Sequence, residues 1–192
     1  GGEISRFYGY VADGIFQNQT EVNAHTDEYG TVIQPNAQPG DIRFKDLNHD
    51  GKLDDNDKTF IGNAFPDLMV GINARLAWKN IDFAANFYGT IGNDVYNTTK
   101  GRYSGVSGEN VYAGTYNASW HGEGTSYDLP RLSYNDANQN WTRVSSFYVE
   151  DGSYLRCKQL QIGYTLPKKW TKKISLRLSF SAQNPFTITG YS

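Results

Sequence analysis

Residues 70–78 alternate strictly between apolar and other side chains. Val70, Ile72, Ala74, Leu76 and Trp78 fall on one face, and Gly71, Asn73, Arg75 and Ala77 on the other. A period of two predicts a β-strand with one face turned away from water. Lys79-Asn80 reads as a tight turn, with Asn80 expected to supply the positive φ such hairpins need. On the return strand, 81–89, Ile81, Phe83, Ala85, Phe87 and Gly89 oppose Asp82, Ala84, Asn86 and Tyr88. A second hairpin is predicted over 154–166 and 174–183, joined by the basic turn PKKWTKK. In its second strand Ile174, Leu176, Leu178, Phe180 and Ala182 oppose Ser175, Arg177, Ser179, Ser181 and Gln183. Upstream, 7–16 predicts one short aromatic strand, and 21–45, with Pro35 and Pro39, reads as loop. Between the hairpins, 90–152 is rich in Gly, Asn, Tyr and Ser and weakly patterned, so it reads as one very long loop. No segment repeats at helical spacing, and the gaps between strands are not helical crossovers. The expected class is all-β and antiparallel.

The turns are asymmetric. Both hairpins close tightly on one side, and the connection between them is long on the other. Outer-membrane barrels have this layout, with short periplasmic turns and long extracellular loops. Nine-residue strands at 70–78 and 81–89 suit a tilted bilayer crossing. Trp78 and Trp170 stand at the turn ends, where an aromatic girdle meets headgroups. A soluble sandwich whose apolar faces pack together gives the same alternation, so periodicity alone leaves both open.

Composition narrows this. The 192 residues carry a formal charge of −2, which gives no basic field for nucleic acid. Aromatics make up 15% and there are 20 glycines, in keeping with strands and turns. No apolar run reaches the ~18 residues of a membrane helix. A mean hydropathy of −0.62 does not argue against a barrel, whose strands alternate and whose loops are polar. The single cysteine, Cys157, excludes an internal disulfide framework. No signal-peptide pattern opens the chain, so the front end of a precursor is expected either to be missing or never to have existed.

Residues 46–57 read DLNHDGKLDDND and fit the twelve-residue calcium loop. Asp46, Asn48 and Asp50 offer side-chain oxygens at positions 1, 3 and 5. Gly51 permits the sharp turn at position 6, and Lys52 offers its main-chain carbonyl at position 7. Asp54 reaches through water at position 9, and Asp57 closes the loop at position 12. Ca²⁺ favours such hard oxygens, and the cation offsets carboxylate repulsion. Asp replaces Glu at position 12, and no flanking helices are evident, so an EF-hand pair is not expected. The expected role is a structural clip for a long loop.

Catalysis has no supporting constellation. His25, His49 and His121 have no partner at metal-ligand spacing. His121 lies near Glu123, but no nucleophile motif accompanies them. Phosphate-binding loops are absent. Glu150-Asp151 reads as a charged turn, since adjacent residues in a strand would point to opposite faces, and Cys157 reads as a small strand side chain. An enzyme is therefore not expected.

The motifs together resemble the C-terminal part of a SusC/RagA-type TonB-dependent transporter of the Bacteroidetes outer membrane. The runs that carry the resemblance are residues 7–22, 40–97, 145–170 and 176–192, in that order. The combination of GDIRFKD, the calcium-like loop, IGN-x-x-PD and EDGSYLR is specific, although no single piece is. The resemblance implies late strands of a transmembrane barrel of about 22 strands, with long extracellular loops and a plug. It implies energisation through TonB, a SusD-like surface lipoprotein as partner, glycans or peptides as substrate, and contact with a lipid bilayer. The family's carboxypeptidase-like domain, TonB box, plug and terminal strand have no counterpart here, so this stretch alone is not expected to transport. The alternative is a soluble, calcium-stabilised extracellular β module for glycan binding or adhesion. In it Tyr103, Tyr112, Tyr116, Trp120 and Trp141 would stack on sugar rings.

Overall fold

The computed structural model describes residues 4–102, 110–172 and 174–191. The chain forms two units. The strand unit is Ala64–Val95 with residues from Glu150 onward; the loop unit is the chain up to Asn63 with Tyr96–Val149.

The strand unit contains β5 (Leu68–Trp78), β6 (Ile81–Ile91), β9 (Tyr154–Thr165) and β10 (Arg177–Thr189). They form one antiparallel sheet in the order β10-β9-β6-β5. β5 and β6 pair without a bulge, from Trp78↔Ile81 to Leu68↔Ile91. Each has 11 residues, two more than the alternation marked. The turn differs in detail: Lys79, not Asn80, holds the positive φ, at 54°. β10 starts three residues after the predicted strand and runs six further. The alternation was lost there because Asn184-Pro185 form a bulge opposite Lys158. Pro185, which lacks an N–H, is tolerated on this edge strand. The basic turn contains a short helix, α4 (Lys168–Thr171).

Register sorts the side chains into two faces. Ile72, Phe87 and Cys157 share a line across β5, β6 and β9, and Phe186 extends it on β10. Next to it, Asn73 aligns with Asn86, Gln159 and Gln183. The apolar face is uncovered: Ile72 is 50% exposed, Leu76 69% and Phe180 71%. Among the described residues of this unit no second sheet lies over it, so the sandwich arrangement does not form. Trp78 and Trp170 are exposed near the turns.

The loop unit is a mesh of short elements. It contains β1 (Arg6–Gly9), β2 (Ala12–Ile15), β3 (Ile42–Phe44) and β4 (Thr59–Asn63), with α1 (Gln19–Ala24). The single strand expected over 7–16 is two, because Tyr10 leaves the first to bridge Ser145. β1 pairs β4 and β2 pairs β3. Residues 90–152 are not one open loop. They hold β7 (Asp94–Tyr96), α2 (Thr99–Arg102), α3 (Ala113–Ala118) and β8 (Val149–Asp151), and β7 pairs β8.

Two small apolar clusters anchor the mesh: Tyr10, Ile42 and Phe44 in one, Phe16, Val22 and Ala37 in the other. The larger share of the ordering is polar. β3 has β2 on one edge; side-chain amides serve the other. Asn140 accepts from Ile42 N at 2.8 Å, and Gln34 accepts from Phe44 N at 2.7 Å. Gln34 and Asn138 both donate to Ile42 O at 3.0 Å. Buried backbone groups need such partners. Asp41, fully buried, accepts from Asn140 at 2.8 Å and from Arg131 Nε at 2.6 Å. Gly40, at φ 88°, has no room for a Cβ beside the Trp120 ring.

Candidate functional site

The acidic loop lies in the loop unit between β3 and β4. It closes on itself through its own carboxylates. Asp46 is buried, and its Oδ2 accepts from Gly51 N at 2.8 Å. Gly51 sits at φ 78°, and a Cβ there would strike the Asp27 carboxylate. Asn48 accepts from Asp50 N at 3.2 Å and donates to Asp50 Oδ2 at 2.8 Å. Asp50 Oδ1 accepts from Lys52 N at 3.0 Å. Asp54 and Asp57 form a reciprocal cap on the 3₁₀ turn Asp55–Asp57. Asp57, fully buried, accepts from Leu47 N and Asp54 N, each at 2.8 Å. His49, at φ 58°, is exposed.

The predicted ligands therefore lie in one tight loop, but among the described residues no three His, Cys, Asp or Glu side chains are gathered as a metal cluster. One observation fits a cation. Asp46 Oδ1 is buried with no hydrogen-bond partner, and Asp46 lines a cleft of about 520 Å³. An ion-accepting carboxylate oxygen left bare inside the protein is costly unless a donor or cation meets it. With Asn48, Asp50 and the Lys52 carbonyl nearby in sequence, the donor set is all oxygen, which suits Ca²⁺. Asp54 and Asp57 also have a structural task, capping the turn, that the sequence pattern does not separate from ligation.

Neighbouring charges are locally satisfied. Asp27 is held below the usual carboxylate range, first by the Thr31 N–H. Asp55 is lowered by its hydrogen bond to Lys58, at 2.7 Å. Burial lowers His25, against a hydrogen bond with Phe44 O at 3.1 Å that favours its protonated form.

The remaining sequence candidates fall in different places. His121 Nδ1 lies 2.8 Å from Ser119 O, while Glu123 accepts from Asn18 at 2.8 Å, so the two have separate partners. Of the proposed stacking aromatics, Tyr112 and Tyr116 are exposed, and Trp141 is buried. Trp120 donates to Gln17 at 3.3 Å and is half-buried. Tyr103 lies outside the described residues. Cys157 is fully buried on the strand sheet.

The sequence reading missed a group on the polar face of that sheet. Tyr88 and Tyr154 have ring centroids 6.2 Å apart. Arg156 lies 5.3 Å from the Tyr154 ring, and Lys158 lies 5.7 Å from the Tyr88 ring. Asn86 donates to Gln159 at 3.3 Å, and Arg156 Nε donates to Thr187 at 3.0 Å. Tyr154, Arg156 and Lys158 lie at alternate positions on β9, and Tyr88 of β6 and Thr187 of β10 meet them through register. The alternate spacing of Tyr154, Arg156 and Lys158 was the sequence-visible cue.

No family model matches the chain. The whole chain aligns with TonB-dependent receptor P3 of Formosa agariphila at 34% identity over 194 residues, covering 18% of that protein. It aligns with TonB-dependent receptor P26 of the same organism at 30% identity, covering 87% of the chain and 16% of that protein. With the TonB-dependent receptor SusC of Bacteroides thetaiotaomicron identity is 25%, over the whole chain and 20% of SusC. In fold it matches 97% of its length to 19% of a chain in the RagAB peptide importer in its open-open state, at TM-score 0.67 and 19% identity. The chain thus spans about a fifth of the length of the relatives it matches. The strand sheet accordingly has the fold of part of a β-barrel wall, and over its whole length the chain is homologous to the SusC/RagA-type TonB-dependent receptors, outer-membrane proteins of Bacteroidetes.

Proposed function

We propose that this chain supplies wall strands and surface loops to an outer-membrane importer of glycans or peptides, energised through TonB and working with a SusD-like lipoprotein. The observation that carries this is the two-sided sheet. Four strands of 11 to 13 residues present an uncovered apolar face and a polar face, in a register that shifts once, at Lys158 and Asn184-Pro185. In water such a face would aggregate; against acyl chains it is satisfied. The tight turns would then face the periplasm. The reading assigns no catalytic step to these residues. Its test is the whole gene: the product should fractionate with outer membranes, and deleting it should abolish growth on one oligomeric nutrient in a TonB-dependent way. Recovery in the soluble periplasm overturns the reading.

The acidic loop is proposed as a structural Ca²⁺ clip on the loop unit, held by Asp46, Asn48, Asp50, the Lys52 carbonyl and Asp57, with Asp54 through water. The bare buried Asp46 oxygen supports it. A ligand bound only by the folded form stabilises by about 2.7 kcal/mol at a hundred times its Kd. In the full receptor, Ca²⁺ should raise the unfolding midpoint of the loop unit, and chelation should lower it. Asp46→Ala with Asp50→Ala should remove the response; a double variant that keeps it rejects this ligand set.

A further inference from the structure

The polar face of the strand sheet is unbalanced in charge. It carries Arg75, Arg156, Lys158 and Arg177 and one acid, Asp82, in a chain whose formal net charge is −2. Asp82 is consumed by Arg177, which donates to it through Nε at 3.1 Å. Among the described residues no carboxylate lies within ion-pair distance of Arg75, Arg156 or Lys158. At the end of the sheet remote from the tight turns the cations are also organised. Thr187 fixes the Arg156 guanidinium by its Nε at 3.0 Å, which leaves the two terminal nitrogens for a ligand. Tyr154 and Tyr88 support the two cations from below at 5.3 and 5.7 Å. Asn86 and Gln159, bonded to each other at 3.3 Å, extend the ledge with further donors.

We propose that this ledge binds carboxylate or sulfate groups of an oligomeric substrate, so that the receptor selects anionic cargo. The inference rests on the import reading above, which makes this face the lumen wall. A fixed guanidinium offers a paired-donor fork to an oxyanion, and Lys158 adds a point charge beside it. The aromatic floor holds the two cations in place through attraction to the ring faces. Cargo moving along the wall would pass from the ledge toward Arg75, the third unpaired cation, on β5.

The test uses the full-length receptor in detergent and three matched probe pairs: oligogalacturonate and its methyl ester, a sulfated oligosaccharide and its desulfated form, and an acidic peptide and its amidated form. Calorimetry should find the anionic member of at least one pair bound about 10- to 100-fold more tightly, the equivalent of one charge-assisted hydrogen bond. Which pair responds identifies the source of the anion. The preference should fall with ionic strength, vanish in Arg156→Gln with Lys158→Gln, and survive Arg156→Lys with Lys158→Arg. Binding only of neutral members, binding of no member, a preference flat in salt, or one kept by the glutamine variant overturns the inference. A receptor that inserts in outer membranes and imports a nutrient without such a preference overturns this inference alone; one absent from outer membranes overturns the import reading as well.

Discussion

Asp41→Ala should destabilise the loop unit by about 3–5 kcal/mol, the range for breaking a buried ion pair from one side. Asp41 is fully buried, and its two oxygens accept from Arg131, Asn140 and Gln38 N. Removing the carboxylate strands a guanidinium that is 22% exposed and an asparagine at 1% exposure. Asn140 in turn holds Ile42 N, so the loss reaches the open edge of β3. Asp41→Asn keeps an acceptor but not the charge, and should cost about 1–3 kcal/mol. Hydrogen exchange in the receptor measures this. Protection over 34–44 and 131–141 should fall together while that of β6 and β9 does not change. A loss below about 1 kcal/mol would show that the network is not what orders the unit.

Ile72→Arg should cost about 2–4 kcal/mol of receptor stability in vesicles, and Asn73→Arg under about 1 kcal/mol. The two positions are adjacent near the middle of β5. Ile72 faces Phe87 on the apolar side, and Asn73 faces Asn86 on the polar side. Both are exposed in this sheet, so water-based reasoning predicts equal, small effects. Only a lipid on one side and a hydrated lumen on the other separates them. Urea titration of the refolded receptor in vesicles reads the difference, and equal costs would contradict the assignment of faces.

The strand sheet was legible because its signal is local. A side chain's face depends on its parity along the strand, so Val70 to Trp78 and Ile81 to Gly89 declare themselves. Where parity slips, at Lys158 and Asn184-Pro185, the reading shortened β10. The loop unit was illegible for the opposite reason. Its interior is built from Gln34, Asp41, Asn138 and Asn140, whose polarity reads as surface, and whose bonds join positions about a hundred residues apart. The acidic loop was readable at Asp46, Asn48, Asp50 and Gly51, because spacing dictates that turn. The bare Asp46 oxygen and the capping work of Asp54 and Asp57 needed coordinates. Of the ledge, Tyr154, Arg156 and Lys158 share β9, but Tyr88 and Thr187 reach them only through the pairing of β6 and β10 with it, which no local spacing shows.

The loop unit is written in two instalments, with the β5–β6 hairpin inserted between them. Ile42 and Phe44 acquire their amide edging from one side at Gln34, but Asn138 and Asn140 arrive 96 and 98 residues after Ile42. At ordinary synthesis rates that is an interval of roughly 5–20 s. For that time the loop unit is half-made and β3 lacks the partners that Asn138 and Asn140 give its open edge. Completion of this unit therefore waits on residues 138–140, and a chaperone that shields 34–44 during the wait would act on yield without touching the finished protein.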